Sequence, residues 1–368
     1  MRNIKFLNLK KENNAFRNII LHKTKKVIKK SQFILGPEVE IFEKKLSNFL
    51  KTKYVIGVSN GTAALYLSLK YLNLKKDDEV LTVSNSYLST VSTILLVGAK
   101  PVLVDVDNSL NISIDDLKKK ITKKTKVIIP VHLTGNPCKI KEILKIAKKK
   151  RITVIEDCAQ AIGAKSYNKF VGTFGDIGCF SFHPLKNLSA LGDAGAIVCN
   201  SKLKYDWFRK ARNNGHPSRD ECDFWSLNLR LDTLQAAFLN AKISKIREIN
   251  SKRNRNAKIY FKELSNIKQI NLPKINKNNY SVYHLFMIKV QKRKSLMNYL
   301  ANKKIETKIH YPKPVHLQKA GMRYFRKKRL KNTEFFAKKI LSLPINQYLN
   351  KNDIIMVCQN IKKFYEKN

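Results

Sequence analysis

Hydrophobic and polar positions alternate along the first two thirds of the chain in a way that predicts strands separated by helices. Apolar residues first recur at helical spacing, at Val39, Phe42, Leu46 and Leu50. Short β-branched runs of strand length then occupy residues 80–83, 102–106, 127–131 and 152–155, and lysine-rich amphipathic segments separate the last three. Further strands are expected at residues 179–182 and 196–198. This alternation indicates an α/β fold with a mostly parallel central sheet flanked by helices.

The pattern changes after about residue 235. A long, charged helical stretch at residues 234–265 precedes a strand candidate at 284–290, a proline-rich turn at 311–314 and a final helix. Such an order is typical of a second, smaller α+β domain behind a connecting helix. We therefore predict three parts, namely an N-terminal arm at residues 1–30, a large domain at 31–240, and a connecting helix with a small C-terminal domain at 241–368.

The net charge is strongly positive, with 73 basic against 27 acidic residues and a formal value of +46. One interpretation is a surface that binds nucleic acid or membranes. The lysines far outnumber the arginines and are scattered in short runs along the whole chain, so we favour a compositional bias on solvated helix faces. We expect no specific nucleic-acid binding, although the excess charge should attract anionic ligands.

The cysteines and the absence of long apolar runs bear on the compartment. The six cysteines form no CxxC pair, which favours small buried thiols in a reducing compartment over a disulfide framework or a zinc site. His310 and His316 have no Cys or carboxylate spaced to complete a metal site, so no metal is expected. No apolar run approaches a membrane span and the N-terminus lacks the apolar core of a signal peptide. We therefore predict a cytoplasmic protein without membrane insertion.

The stretch Ser59-Asn60-Gly61-Thr62 lies between a predicted strand and a helix N-terminus. Free backbone amides and the helix dipole make such a place a candidate phosphate site, and Gly61 would let the backbone approach the ligand. An ordinary capped turn between a strand and a helix explains the same residues, and on this stretch alone the turn is the better explanation.

Asp157 stands at the carboxyl end of a predicted buried strand, where α/β folds place ligand-binding groups. A carboxylate there can keep the nitrogen of a pyridine ring protonated. A helix N-cap explains this residue equally well, and the stretch alone leaves both readings open.

Lys186 follows another predicted strand and precedes a glycine-containing loop, so it can project into a cleft. Desolvation there would lower its pKa and make it a better amine nucleophile. Ser181, at the end of the strand, could donate to a phosphate. Most lysines of so basic a chain lie on the surface, and that reading stays open for Lys186 alone.

Taken together and in order, these stretches resemble the DegT/DnrJ/EryC1/StrS family of sugar aminotransferases, which are fold-type I enzymes that use pyridoxal 5′-phosphate (PLP). The resemblance covers nearly the whole chain at the family's spacing. The matching stretches are residues 35–39, 59–65, 99–105, 156–160, 181–188, 228–237, 311–318 and 341–344.

The resemblance implies roles for the residues around the cofactor ring. Lys186 corresponds to the lysine that forms the Schiff base and moves the substrate proton. Asp157 corresponds to the partner of the pyridinium nitrogen, and Gln160 to the hydrogen-bond donor to the ring oxygen. Tyr87 falls where the family places an aromatic ring stacked on the cofactor.

The resemblance also implies how the phosphate is held. Gly61, Thr62 and Ser181 correspond to phosphate ligands within one subunit. Asn228 corresponds to a residue that reaches the phosphate from the neighbouring subunit. This last match implies a homodimer with shared active sites.

Lys186 bears on the choice between two reactions known in the family. Dehydratase relatives have His at this position, which cannot form the Schiff base, so Lys186 favours transamination. The resemblance then implies that glutamate leaves its amino group on the cofactor, yielding 2-oxoglutarate. A dTDP- or UDP-linked keto-deoxyhexose would receive that group, in amino-sugar or surface-glycan biosynthesis. A non-catalytic regulator that binds PLP or a sugar, and a PLP-dependent sugar dehydratase, remain the alternatives.

The chain departs from the family's pattern in a few places. Ser226-Leu227 precede Asn228 where Gly-Tyr is usual. Ala194 stands where the family's usual acidic-Gly-Gly pattern has its first glycine. The stretch at residues 83–86 also lacks the common Pro-Ser-Phe-Thr pattern. These changes concern substrate contacts and loop shape more than cofactor chemistry.

Overall fold

The computed structural model describes residues 3–326 and 328–367. The helices are α1 (Leu9–Lys30), α2 (Pro37–Leu50), α3 (Gly61–Tyr71), α4 (Ser89–Leu96), α5 (Ile114–Lys120), α6 (Ile140–Lys150), α7 (Lys202–Ala211), α8 (Thr233–Lys242), α9 (Ile246–Leu264), α10 (Arg293–Asn302), α11 (Lys319–Tyr324), α12 (Lys331–Ala337) and α13 (Lys351–Glu366). The strands are β1 (Tyr54–Val58), β2 (Glu79–Val83), β3 (Lys100–Val104), β4 (Thr125–Ile129), β5 (Thr153–Asp157), β6 (Lys165–Ser166), β7 (Lys169–Phe170), β8 (Ile177–Ser181), β9 (Gly195–Cys199), β10 (Ile270–Asn271), β11 (Asn279–Tyr280), β12 (Phe286–Val290) and β13 (Ile340–Leu343). The predicted alternation of strands and helices is confirmed.

A seven-stranded sheet forms the centre of the fold, in the order β1-β9-β8-β5-β4-β2-β3. The five strands from β8 to β3 pair in parallel. β9 is antiparallel to both of its neighbours, β1 and β8. The prediction of a mostly parallel sheet is therefore confirmed, and its antiparallel part is confined to one edge.

Helices cover the central sheet on both faces. This is seen in how successive residues of one strand pack in different apolar clusters. Val55 of β1 packs in a cluster with Phe42 of α2. The next residue, Ile56, packs in another cluster with Leu67 of α3. A strand buried on both faces has to be apolar almost throughout, which is why the parallel strands are continuous β-branched runs.

A second, antiparallel sheet in the order β10-β12-β13 organises the C-terminal part. Its strand residues Ile288 and Leu341 pack with Tyr260 of α9, Leu300 of α10 and Ile354 of α13 in one buried cluster. A third, small sheet has the order β11-β6-β7. The proposed division near residue 240 remains a prediction, and residues 1, 2, 327 and 368 of the predicted parts lie outside the described residues.

The long helical stretch predicted at residues 234–265 is in fact two helices. A 3-10 turn at Ile243–Lys245 separates α8 from α9. The turn allows α8 to pack against α1 and α2 while α9 packs against α13. Within the described residues, no helix combines the length and the apolarity needed to cross a bilayer.

The N-terminal segment is held to the rest of the fold through α1. Asn8 caps this helix, since its Oδ1 accepts the backbone N–H of Lys11 at 3.0 Å. One turn later, the buried carboxylate of Glu12 accepts hydrogen bonds from Ser189 at 2.6 Å and from the ammonium of Lys242 at 3.2 Å. Glu12 thereby joins α1 to α8 and to the loop that follows Lys186.

Candidate active site

The predicted site residues gather at the carboxyl ends of the parallel strands. Asp157 is the last residue of β5, and Ser181 is the last residue of its parallel neighbour β8. The segment containing Tyr87 follows β2, and α3 begins at Gly61, just after β1. Carboxyl ends of parallel strands lie on one side of a sheet, which is where open α/β folds bind ligands.

The N-terminus of α3 and the end of β8 form a close cradle. Asn60 caps α3, with its Oδ1 accepting the backbone N–H of Ala63 at 2.8 Å. A Cβ atom at Gly61 would lie 2.8 Å from the Cβ of Ser181, so only glycine fits there. The hydroxyl of Thr62 is 2.7 Å from that of Ser89. Gly61, Thr62 and Ser181 are thus brought together, and a helix N-terminus with neighbouring hydroxyls suits a phosphate.

Asp157 is buried, with 4% of its surface exposed, and both of its carboxylate oxygens accept hydrogen bonds. Oδ2 accepts from the hydroxyl of Thr90 at 2.9 Å, and Oδ1 accepts from the backbone N–H of Ala159 at 3.1 Å. Burial raises the pKa of Asp157, while these two donors and the ammonium of Lys186 oppose the rise. A buried carboxylate held in this way suits a protonated ring nitrogen, which would supply the positive charge that the burial leaves unmatched.

Lys186 lies close enough to Asp157 for the two charges to influence each other. Burial lowers the pKa of Lys186 to about 8, and the carboxylate of Asp157 limits the decrease. A lysine with this pKa is neutral in roughly a tenth of molecules at pH 7, far more than an ordinary lysine, and the neutral amine is the nucleophile. Lys186 therefore has the protonation behaviour that attack on a carbonyl requires.

Gln160 is held by hydrogen bonds at both ends of its side chain. Its Oε1 accepts the backbone N–H of Thr134 at 2.8 Å, and its Nε2 donates to the hydroxyl of Tyr311 at 3.2 Å. The ring of Tyr311 lies 6.2 Å from that of Tyr87, measured between centroids. Tyr87 itself is 58% exposed, so its ring remains available to a ligand.

Asn228 lies on an exposed segment beside the candidate phosphate cradle. The carbonyl of the next residue, Leu229, accepts the backbone N–H of Ser59 at 2.9 Å. The side chain of Asn228 is exposed. Its predicted role across a subunit interface stays a prediction.

A buried hydrogen-bonded network surrounds Glu156, the residue that precedes Asp157 on β5. Glu156 accepts hydrogen bonds from His132 Nε2 at 3.0 Å and from the backbone N–H groups of residues 172, 174 and 175. His132 Nδ1 accepts the backbone N–H of Cys138 at 3.0 Å. His132, Glu156 and Cys158 have ligand atoms within 4.8 Å of one another. Burial raises the pKa of Cys158 to about 12. The hydrogen bonds that Glu156 accepts hold the backbone of residues 172–175 against β5.

The residues of this site that the motifs did not single out are those whose contacts span long distances in sequence. Thr90 and Thr134 orient Asp157 and Gln160, and neither stands in a motif with a chemical signature. Tyr311 belongs to a stretch that the family resemblance covers, which is the signal that could have identified it. The motif alone did not indicate that its hydroxyl meets Gln160.

Comparisons with known proteins agree with this geometry. The sequence profile of the DegT/DnrJ/EryC1/StrS aminotransferase family matches residues 15–362. The chain belongs to this family.

Relatives within the family include characterised sugar transaminases. The chain is 38% identical over 362 residues to dTDP-3-amino-3,6-dideoxy-alpha-D-galactopyranose transaminase of Aneurinibacillus thermoaerophilus, covering 98% of this chain and 99% of the relative. It is 35% identical over 356 residues to UDP-2-acetamido-2-deoxy-3-oxo-D-glucuronate aminotransferase of Pseudomonas aeruginosa, covering 96% and 98% of the two chains.

A solved structure of a relative bears on the cofactor. The fold matches that of NtdA from Bacillus subtilis with bound cofactor PMP, with a TM-score of 0.93, 29% identity, and coverage of 100% of this chain and 86% of the other. DegT/DnrJ/EryC1/StrS aminotransferases depend on PLP, so the chain is a PLP-dependent aminotransferase of fold type I. The cradle at Gly61, the buried Asp157 and the low pKa of Lys186 fit the phosphate, the ring nitrogen and the aldehyde of that cofactor.

Proposed function

We propose that this DegT/DnrJ/EryC1/StrS aminotransferase moves the amino group of glutamate to the keto carbon of a dTDP- or UDP-linked keto-deoxyhexose. The observation that carries the proposal is the position of Lys186, which has a pKa lowered to about 8 by burial and lies within electrostatic reach of the buried carboxylate of Asp157. The substrate class follows the names of relatives that match this chain over nearly its full length. The reaction would serve amino-sugar or surface-glycan biosynthesis in the cytoplasm.

Each residue of the site has one task in this proposal. Gly61, Thr62 and Ser181 hold the cofactor phosphate. Asp157 keeps the ring nitrogen protonated, and Gln160 donates to the ring oxygen. When bound, the cofactor supplies an electron sink for the carbon that carries the amino group.

Two further residues complete the assignment. Tyr87, with its exposed ring, stacks on one face of the cofactor. Lys186 would take the proton from the carbon of glutamate in the first half-reaction and supply a proton to the aminated sugar carbon in the second. A lysine whose pKa is about 8 can perform both transfers near neutral pH.

We also propose a homodimer in which Asn228 reaches the phosphate of the neighbouring subunit. Apolar side chains support an interface next to this residue, because Trp225 is 88% exposed and Leu227 is 51% exposed. Phe33 and Ile34 are half exposed, and Ile34 forms a β-bridge with Asp232, four residues beyond Asn228. Large exposed apolar side chains in one region mark a surface that another molecule covers.

Lys186 separates the proposed activity from the alternatives. A dehydratase of this family has His at this position. A regulator that only binds the cofactor or a sugar needs no lysine whose pKa is lowered by burial and no buried carboxylate opposite it. Lys186, Asp157 and Gln160 together support an active transaminase.

The test is the visible absorption spectrum of the purified protein supplied with PLP. We expect wild type to show the band of a lysine-bound cofactor and to lose it when glutamate is added. Lys186→Ala should show neither the band nor the response. A wild-type protein that takes up no PLP would refute the proposal and favour the regulator. Once the first half-reaction is established, a screen of dTDP- and UDP-linked keto sugars identifies the acceptor.

A further inference from the structure

Tyr311 lies on a segment that is anchored at both ends. On one side, Lys308 pairs with Ser342 of β13, and His310 Nδ1 lies 3.0 Å from the hydroxyl of the same serine. On the other side, the backbone N–H of Val315 donates to the carbonyl of Ser84 at 3.0 Å. The segment therefore joins the C-terminal sheet to the end of β2, with Tyr311 between the two anchors.

The second anchor is a buried hydrogen-bonded chain. The hydroxyl of Ser84 accepts the backbone N–H of His316 at 3.1 Å and lies 2.7 Å from Nδ1 of the same residue. The other ring nitrogen of His316 lies 3.3 Å from the carboxylate of Glu334. The tautomer with the proton on Nε2 donates to Glu334 and leaves Nδ1 of His316 to accept the proton of Ser84. This chain holds the Tyr311 segment against the strand end.

The orientation of Gln160 determines which atom Tyr311 meets. A backbone N–H can only donate, so the atom of Gln160 that faces Thr134 has to be the carbonyl oxygen Oε1. The amide nitrogen Nε2 then faces the hydroxyl of Tyr311, at 3.2 Å. Tyr311 is therefore the acceptor in this contact, and its own proton points elsewhere. Among the described residues, no hydrogen-bond acceptor takes that proton.

The phenol keeps its proton throughout the physiological range. Burial raises the pKa of Tyr311, and the nearby carboxylate of Asp157 adds to the rise. The hydroxyl is thus a neutral donor next to Gln160, on a ring that faces Tyr87, and near enough to Asp157 for that carboxylate to affect its pKa. Gln160 Nε2 also has a second hydrogen that the contact with Tyr311 leaves available.

We infer that Tyr311 contacts the cofactor, with its hydroxyl donating to the same ring oxygen as the second N–H of Gln160. This inference rests on the proposed function, because the proposed function places the ring oxygen of the cofactor next to Gln160. Two donors on one oxygen stabilise its negative charge. A stabilised oxygen attracts the proton on the neighbouring lysine-linked nitrogen less strongly, so that nitrogen loses its proton at a lower pH.

The test is a pH titration of the visible band of PLP-loaded protein, for wild type, Tyr311→Phe and Tyr324→Phe. Phe at position 311 keeps the ring beside Tyr87 and removes only the hydroxyl. We expect the midpoint of the Tyr311→Phe protein to rise by about one pH unit, the size of one hydrogen bond to a charged group. Tyr324 is half exposed on α11, meets Phe325 edge to face and is the matched control, with an unchanged midpoint.

Each other outcome has a distinct meaning. An unchanged midpoint in Tyr311→Phe would overturn the contact, and slower reaction with the sugar alone would then assign the hydroxyl to the substrate. Loss of the cofactor by Tyr311→Phe with a wild-type circular dichroism spectrum would support the contact, since the fold is kept and only the hydroxyl is missing. A wild-type protein that takes up no PLP would instead refute the proposed function, before any variant is compared.

Discussion

Glu12 of α1 and Lys242 of α8 form a buried ion pair, with 3.2 Å between Oε1 and Nζ. The hydroxyl of Ser189 lies within hydrogen-bonding distance of both charged groups, at 2.6 Å and 3.1 Å. All three side chains are almost completely buried. The pair and Ser189 therefore link the N-terminal helix to the loop three residues beyond Lys186.

Removing one partner of this pair should destabilise the protein. In Glu12→Ala the ammonium of Lys242 stays buried without a counter-charge, which costs about 3 kcal/mol of unfolding free energy. Urea unfolding of the cofactor-free protein measures the change. The double variant Glu12→Leu with Lys242→Met removes both charges and should recover most of the loss. A double variant as unstable as Glu12→Ala would show that packing, not the unpaired charge, is responsible.

Gly61→Ala should weaken PLP binding strongly while leaving the fold intact. The new Cβ would lie 2.8 Å from the Cβ of Ser181 at the phosphate cradle, so the strand end or the helix start has to move. The affinity is measured by titrating the cofactor-free protein with PLP at the visible band. Gly98→Ala is the control for backbone strain without crowding, since nothing lies within 4 Å of the Cβ built there but φ at Gly98 is +80°. It should lower the stability and leave the PLP affinity unchanged. Equal affinity in Gly61→Ala and wild type would show that the cradle does not bind the cofactor phosphate.

The rate of PLP capture should rise with pH through about 8. Lys186 attacks the aldehyde only as the neutral amine, and burial lowers its pKa to about 8 from the usual 10.5. Below that pH the rate should increase about tenfold per pH unit, and above it the rate should level off. Stopped-flow absorbance of the cofactor-free protein mixed with PLP measures it. A rate that keeps rising towards pH 10 would mean that Lys186 has the pKa of an ordinary surface lysine.

Much of the fold could be predicted because the parallel strands are buried on both faces. The run at residues 80–83 lies inside β2, and its β-branched composition needs no tertiary information to be recognised. The antiparallel pairing of β1 with β9 could not be predicted in this way, since it joins Tyr54 to Cys199 across the chain. The break between α8 and α9 was also missed, because the helical periodicity continues through Ile243–Lys245.

The same distinction, between what local patterns predict and what tertiary packing sets, applies to the residues of the site. Asp157 and Ser181 stand at strand ends, so their convergence follows from parallel pairing alone. Lys186 lies in the loop five residues after Ser181, and its position also depends on how that loop folds. The hydrogen bond between Gln160 and Tyr311 joins residues 151 positions apart and depends on how the C-terminal part meets the central sheet. Contacts of that kind are set by tertiary packing, and no local pattern records them.

Asp157→Asn should keep the cofactor bound and slow transamination. The amide can still accept the hydrogen bond from Thr90, but it cannot hold the ring nitrogen protonated. The loss of one charged hydrogen bond predicts a decrease in rate of roughly 10- to 100-fold. Bleaching of the visible band by glutamate, followed in single-turnover experiments, isolates this half-reaction. Wild-type rates in Asp157→Asn would remove Asp157 from its assigned role.

Mixing two inactive variants should restore activity if the sites are shared between subunits. In a hybrid dimer of Asn228→Ala with Lys186→Ala, one site combines the intact Lys186 of one subunit with the intact Asn228 of the other. Equal mixing makes half of the dimers hybrids with one working site each, so about a quarter of wild-type activity is expected. Subunit exchange is verified with two different affinity tags. Hybrids that form and stay inactive would show that Asn228 serves the phosphate of its own subunit, whose Ser59 already binds the neighbouring backbone at Leu229.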